Sequence, residues 1–259
     1  MSTVLRVEHI FAILNFCVVA GLIIRFFAAG LSRAYRLFTA YLGVVLFQTA
    51  VGSVLTTEST VYEYFYIATE TLLVILSAFV VMEMYGVVFR DLPGLARTGR
   101  KYIRYALAVA VLVSLALLEF ESASHRLLSY FLVFERVITT SLLFFVLFLT
   151  AFLSLVYPVP VSRNVIVFTI GYAVFFLANS ASLFLNTAEP YLGALWLQIL
   201  GVVAQVIEFA CFTFWMFFLN AAGETKKVNF GLRWRPEDED RLLDRIRSVN
   251  DSLLRAAKK

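Results

Sequence analysis

"YEYFYIATETLLVILSAFVVMEMYGVVFRDLPGLARTGRKYIR", residues 62–104, decides the fold in two steps. From Tyr64 to Phe89 the only charges are Glu70 and Glu83. Such a run exceeds the roughly 20 apolar residues that a helix needs to cross a hydrocarbon layer. The run stops at Arg90, and Arg97, Arg100, Lys101 and Arg104 follow within one short link. A long apolar span that ends in clustered arginines reads as a membrane helix emerging on the cytoplasmic side.

Working outward from this stretch, apolar runs of spanning length recur at about 7–29, 36–57, 62–89, 102–120, 126–156, 163–186 and 190–221. Alternation of period two is absent, and a backbone in lipid must satisfy its own hydrogen bonds, so these are helices rather than strands of a barrel. The run at 126–156 is long enough to tilt or project beyond the bilayer. Composition agrees. The 259 residues are 61% hydrophobic and only 15% charged, against about 25% charged in a soluble domain. The expected fold is all-α: a polytopic membrane protein with seven transmembrane helices in residues 1–222. A tail at 223–259 carries a short amphipathic helix at about 237–256.

Lys and Arg set the orientation. Arg25, Arg33 and Arg36 follow the first span, Arg163 marks the fifth link, and Lys226, Lys227, Arg233 and Arg235 follow the seventh. The alternate links hold Glu58 and Glu63, then Glu119 and Glu121 with His125 and Arg126, then Glu189. This bias puts the N-terminus outside and the C-terminus in the cytoplasm, in a multi-pass protein of the cell's inner membrane. The first span carries too little positive charge ahead of it for a cleaved signal peptide, and cleavage would leave its arginine-rich link outside. Cys17 and Cys211 lie within the first and seventh spans, at different expected depths, and read as small packing residues.

With the orientation in place, polar residues inside the spans sort by depth. His9, Asn15, Glu70, Glu135, Arg136, Asn179 and Gln198 fall in the outer half, Gln48, Gln205 and Glu208 near the middle, and Glu83 in the inner half. Charges in hydrocarbon are costly, so they face the bundle interior and find partners. Glu135 and Arg136 point about 100° apart on their helix and cannot both face one neighbour. Arg136 is expected to meet Glu70 as an interhelical ion pair, with Glu135 satisfied by hydroxyls, an amide or a proton. Glu70, Glu135, Arg136, Asn179, Gln198 and Asn15 thus form an expected polar cluster, either an ion pair that fixes helix packing or a ligand pocket. Glu83 and Glu208 are further intramembrane acids, and Gln205 shares a helix face with Glu208.

Enzymatic chemistry lacks its parts. Every lysine lies outside the spans, so a retinal Schiff base has no anchor. His9 and His125 are too few for bundled haem or a catalytic zinc. No phosphate-cradling glycine loop and no nucleophile elbow occurs. No enzyme activity, cofactor, metal or nucleic-acid partner is expected. Transport is harder to dismiss, yet all five prolines fall in links or at helix ends, unlike the broken helices of many carriers. "YEYFY" at 62–66, with Tyr191 and Trp196, reads as an interfacial aromatic belt, with the mouth of a pocket as the alternative.

The tail, "KKVNFGLRWRPEDEDRLLDRIRSVNDSLLRAAKK", opens with basic and aromatic residues suited to anionic lipid heads. Pro236 then starts a helix with acids in its first turn and Arg255, Lys258 and Lys259 at its end, which complements the helix dipole. Leu242, Ile246, Val249 and Leu253 make one apolar seam, expected to dock on a second copy, a cytoplasmic partner or the underside of the bundle.

"YRLFTAYLGVVLFQ", "YFYIATETLLVILSAFVVMEMYGVVFRDLPGLARTG" and "LVFERVITTSLLFF" resemble recurring segments of a family of bacterial seven-helix integral membrane proteins. The resemblance covers roughly the second to fifth spans and is anchored on Glu70, Glu83, the "RDLPGL" link and Glu135–Arg136. It implies the fold and carries no site chemistry. The functional expectation is a non-enzymatic receptor-like sensor or scaffold acting through its tail. The alternative is a small-solute or proton-coupled transporter using Glu70, Glu135 and Glu208.

Overall fold

A computed structural model of the chain describes residues 3–53, 60–90, 92–120, 127–155, 161–187, 194–228 and 236–256, with the side chains of some helix ends left out. Nine α-helices lie among the described residues. They are α1 Thr3–Ala28, α2 Arg36–Gly52, α3 Thr60–Val88, α4 Pro93–Phe120, α5 Leu127–Leu155, α6 Arg163–Thr187, α7 Ala194–Phe218, the short α8 Ala221–Thr225 and α9 Pro236–Ala256. Five of these carry stretches long and apolar enough to cross a membrane: Ile10–Ala28, Thr60–Val88, Phe134–Ala151, Arg163–Leu183 and Ile199–Phe218. α2 is a shorter apolar helix. Ile24, Phe27, Phe144 and Phe217 stand more than 60% exposed, a surface that suits lipid rather than water.

Helix adjacency closes a ring: α1 packs on α2, α2 on α3, α3 on α5, α5 on α6, α6 on α7 and α7 back on α1. α4 stands outside this ring, against α3 and α5. Its Gly99 faces the Tyr85 ring, which a Cβ at position 99 would meet at 2.7 Å. The Tyr85 hydroxyl in turn donates to the Phe145 carbonyl at 2.9 Å and ties α3 to α5.

One end of the ring is filled by aromatic side chains. Phe26, Phe38, Phe168, Tyr172 and Trp215 are all buried. Phe38 meets Phe168 edge-on at 4.9 Å and Trp215 at 5.1 Å, the geometry that ring quadrupoles favour. Gly171 makes room for the Trp215 indole; any Cβ there would overlap it.

Two helices begin without a capping side chain of their own. Tyr35 precedes α2 and offers no cap. Glu83 Oε1, from α3, instead accepts from the Arg36 N–H at 3.1 Å and the Leu37 N–H at 3.4 Å. This satisfies donors that every helix start leaves orphaned. The intramembrane acid Glu83 is therefore a cap supplied across helices. α4 starts after Leu92, whose side chain has no acceptor, and the Gly94 N–H donates at 2.7 Å to Oδ1 of Asn250 on α9.

The same end of the bundle is latched together. Glu224 Oε2 accepts from the Tyr35 hydroxyl at 2.9 Å and the Asn164 amide at 3.1 Å. The Asn164 amide also donates to the Asn220 carbonyl at 2.9 Å. A two-residue antiparallel pair, β1 Val161–Ser162 with β2 Lys227–Val228, closes over the latch. Burial first, and then the Glu224 carboxylate, push the Tyr35 phenol well above its ordinary pKa.

The tail helix settles on the bundle itself, one of the three docking surfaces expected for its seam. α9 packs on α4 of its own bundle, through Ile246, which meets the core, and through Asn250, which is buried. Leu253 is half-buried, while Val249 is 50% exposed and takes no part. The helix turns its Ile246–Asn250 face inward because the Gly94 N–H needs the Asn250 acceptor, and a seam centred on Val249 cannot supply one. The Leu242 side chain lies outside the described residues.

Candidate functional site: a carboxylate-lined cavity

All six helices of the ring put polar side chains into one cavity of about 380 Å³, at the small end of ligand-binding sites. Helical spacing makes this convergence possible, because residues three, four or seven apart share a face. α2 contributes Tyr41 and Gln48, α3 Glu70 and Ser77, α5 Glu135 and Thr139, α6 Asn179 and Ser182, and α7 Gln205 and Glu208. α1 adds Asn15 and α3 also Tyr66. A wider recess of about 760 Å³ shares Gln48, Tyr66, Glu70 and Gln205 with the cavity and extends to Ser53 and Tyr62. It gives the cavity a way out near the end of α2 and the start of α3.

Three of the polar groups are carboxyls, Glu70, Glu135 and Glu208, which accept only when ionised. Glu70 accepts from the Gln48 amide at 2.9 Å. Glu208 is within hydrogen-bonding reach of Asn15, and both Glu208 and Glu135 lie close enough to Glu70 to feel its charge. Glu135 is 6% exposed, lines the cavity, and makes no hydrogen bond to a described residue. Asn15 Oδ1 and Gln205 Oε1 are buried with no donor among the described residues. The described lining holds no lysine or arginine. Ionised together, the three carboxyls repel one another in a low-dielectric site.

Asn15, Glu70, Glu135 and Asn179 of the expected cluster line one cavity, and Glu208, read from the sequence as a separate acid, joins them. The expected Glu70–Arg136 ion pair is not found among the described residues. Glu70 takes its hydrogen bond from Gln48, because α2 stands beside α3 at this level. Arg136, one residue round the helix from Glu135, does not line the cavity. The side chains of Gln198 and His9 lie outside the described residues, and Glu83 belongs to the α2 cap. The hydroxyls of Tyr41, Thr139 and Ser182 were not anticipated, although Tyr41–Gln48, Glu135–Thr139 and Asn179–Ser182 carry the shared-face spacing that points to them.

Among the described residues no three His, Cys, Asp or Glu stand close enough to hold one metal ion. Cys17 and Cys211 are free thiols, and Cys211 reaches the Gly171 carbonyl at 3.9 Å. No family model, curated protein or solved structure matches this chain, so its function is argued from the cavity's own residues.

Proposed function

We propose that this chain is a seven-span, non-enzymatic receptor of the inner membrane, N-terminus outside and C-terminus in the cytoplasm. Its outer-half cavity takes a small organic cation rich in hydrogen-bond donors. One observation carries the reading: carboxyls from three separate helices and two unpartnered amide carbonyls converge on a single cavity whose described lining has no base. A ligand ammonium or guanidinium supplies the positive charge that the described lining lacks, and N–H donors for the Asn15 and Gln205 carbonyl oxygens. The seventh span is assigned to α4, whose 28 residues are long enough to cross. α4 touches both α3, which carries Glu70, and α5, which carries Glu135, and it also packs on α9. Ligand binding between α3 and α5 then has a contiguous route to the tail helix.

The test uses full-length protein in mild detergent with ethylammonium, choline and agmatine as probes and acetate and succinate as anionic counterparts. At least one cation should raise the melting temperature and alter hydrogen exchange at 243–254. Glu135→Gln should weaken that binding at least about thirtyfold, since it strands a desolvated charge. Anions stabilising as well as cations would overturn the reading. A proton-coupled carrier is the second reading, favoured by the three carboxyls in one chamber, which can exchange a proton for a cationic solute. Accumulation of the same cation in proteoliposomes under a proton gradient would select it.

A further inference from the structure

A second recess, of about 710 Å³, opens between α2, α3 and α4 at the opposite level of the bundle from the carboxylate cavity. Arg97, Arg100 and Arg104 line it from one face of α4, at spacings of three and four, and all three are exposed. Opposite them stand Phe79, Met82, Glu83 and Gly86 of α3. The Nε groups of Arg100 and Arg104 donate to the Ala96 and Arg100 carbonyls at 3.2 and 3.3 Å. These bonds hold both side chains along the helix and leave their terminal nitrogens to the recess. A terminal nitrogen of Arg100 lies over Gly86, where even an added Cβ would be in ordinary contact at 3.8 Å. Glu83 spends Oε1 on capping α2, and no ion pair links it to these arginines among the described residues.

We infer that this recess binds the phosphate group of an anionic phospholipid. Three guanidiniums face one carboxylate already committed to a helix start, so the recess keeps a net positive excess. Guanidinium forks match phosphate oxygens in geometry and charge, and basic pockets between membrane helices hold anionic head groups. The surroundings favour a lipid over a free phosphate. Toward the membrane middle, Phe79, Ile75 and Leu72 of α3 and Leu112 of α4 stand between 43% and 64% exposed, a track for an acyl chain. On the arginines' own level Tyr102 and Tyr105 are exposed, as aromatic side chains are at a head-group boundary. A zwitterionic head group is less suited, because its ammonium would sit against the excess positive charge.

The experiment is native mass spectrometry of the full-length protein released from mild detergent, with phosphatidylglycerol, phosphatidylcholine or inorganic phosphate added separately. Phosphatidylglycerol should be retained at least about tenfold more than phosphatidylcholine. The triple variant R97Q/R100Q/R104Q should lose that retention by on the order of a hundredfold, from roughly fivefold for each arginine near a head group. The control R241Q/R245Q/R247Q, which removes equal charge from α9, should leave it unchanged. Equal retention of the two lipids, or equal loss in the control, overturns the proposal. Displacement of phosphatidylglycerol by millimolar inorganic phosphate also overturns it and assigns a free-phosphate site. If the triple variant does not fold, Gly86→Leu decides. It keeps all three charges and fills the recess, so unchanged lipid retention there overturns the assignment.

Discussion

Asn250→Ala removes the acceptor that holds α9 on α4. Asn250 is 7% exposed, and its Oδ1 takes the Gly94 N–H at 2.7 Å. Deletion leaves a buried backbone donor without a partner, at a cost of about 1–3 kcal/mol. Because the tail helix opens as a local unit, that loss should speed amide exchange at 243–254 by about 5- to 150-fold. Gly94→Ala attacks the same contact from the other side. Its Cβ would lie 2.5 Å from the Asn250 backbone oxygen and 2.8 Å from Oδ1, and a backbone atom cannot rotate aside, so α9 must lift. Val249→Ser, at a 50% exposed position, should leave exchange unchanged. The assay is hydrogen exchange read by mass spectrometry at fixed pH, with α3 and α6 peptides as internal references. Unchanged exchange at 243–254 in both Asn250→Ala and Gly94→Ala would refute the docking argument. So would equal acceleration in α3 and α6, since the tail would then be part of the bundle's core.

Glu83→Leu should lower stability by about 3 kcal/mol in denaturant titration, because two charge-assisted bonds to the start of α2 are lost; Glu83→Gln should recover part of it. Gly171→Ala should cost about 1–3 kcal/mol by pushing the Trp215 indole out of place, and adding Trp215→Phe should relieve some of that loss. Glu70→Gln and Gln48→Leu should couple by about 1 kcal/mol in a double-mutant cycle, and strict additivity would deny their 2.9 Å contact. The Tyr35 phenol has a raised folded pKa, so its contribution is complete below its unfolded value near 10 and is lost as pH rises above it. Tyr35→Phe should therefore flatten the alkaline limb of a stability–pH curve relative to the unmodified protein.

Helix positions were legible because length, apolar content and basic links act over whole segments, as residues 62–104 illustrate. That Asn15, Glu70, Glu135 and Asn179 share one cavity follows from polar groups in a span having only the interior to face, whereas Glu208 was read apart from them. Their pairing was not legible. Whether Glu70 meets Gln48 or Arg136 depends on which helix stands beside α3 at that depth, and a linear sequence does not hold that rotation. Glu83 shows the same limit: an acid in the inner half of a span can be read, but its role as the cap of α2 needs the register between two helices. The exposed Val249 shows another. Apolar spacing alone selected a seam, while one polar contact, Asn250 to Gly94, set the rotation of α9.

The borrowed caps carry a consequence for how the chain is made. The residue that completes the first turn of α2, Glu83, lies 47 positions further on. The first turn of α4 waits longer: its acceptor comes 156 residues later, near the end of the chain. Until those later segments are in place, the donors at the starts of α2 and α4 have no acceptor from them and are left to solvent. A chain ended at residue 222 would lack the Asn250 acceptor that closes the start of α4.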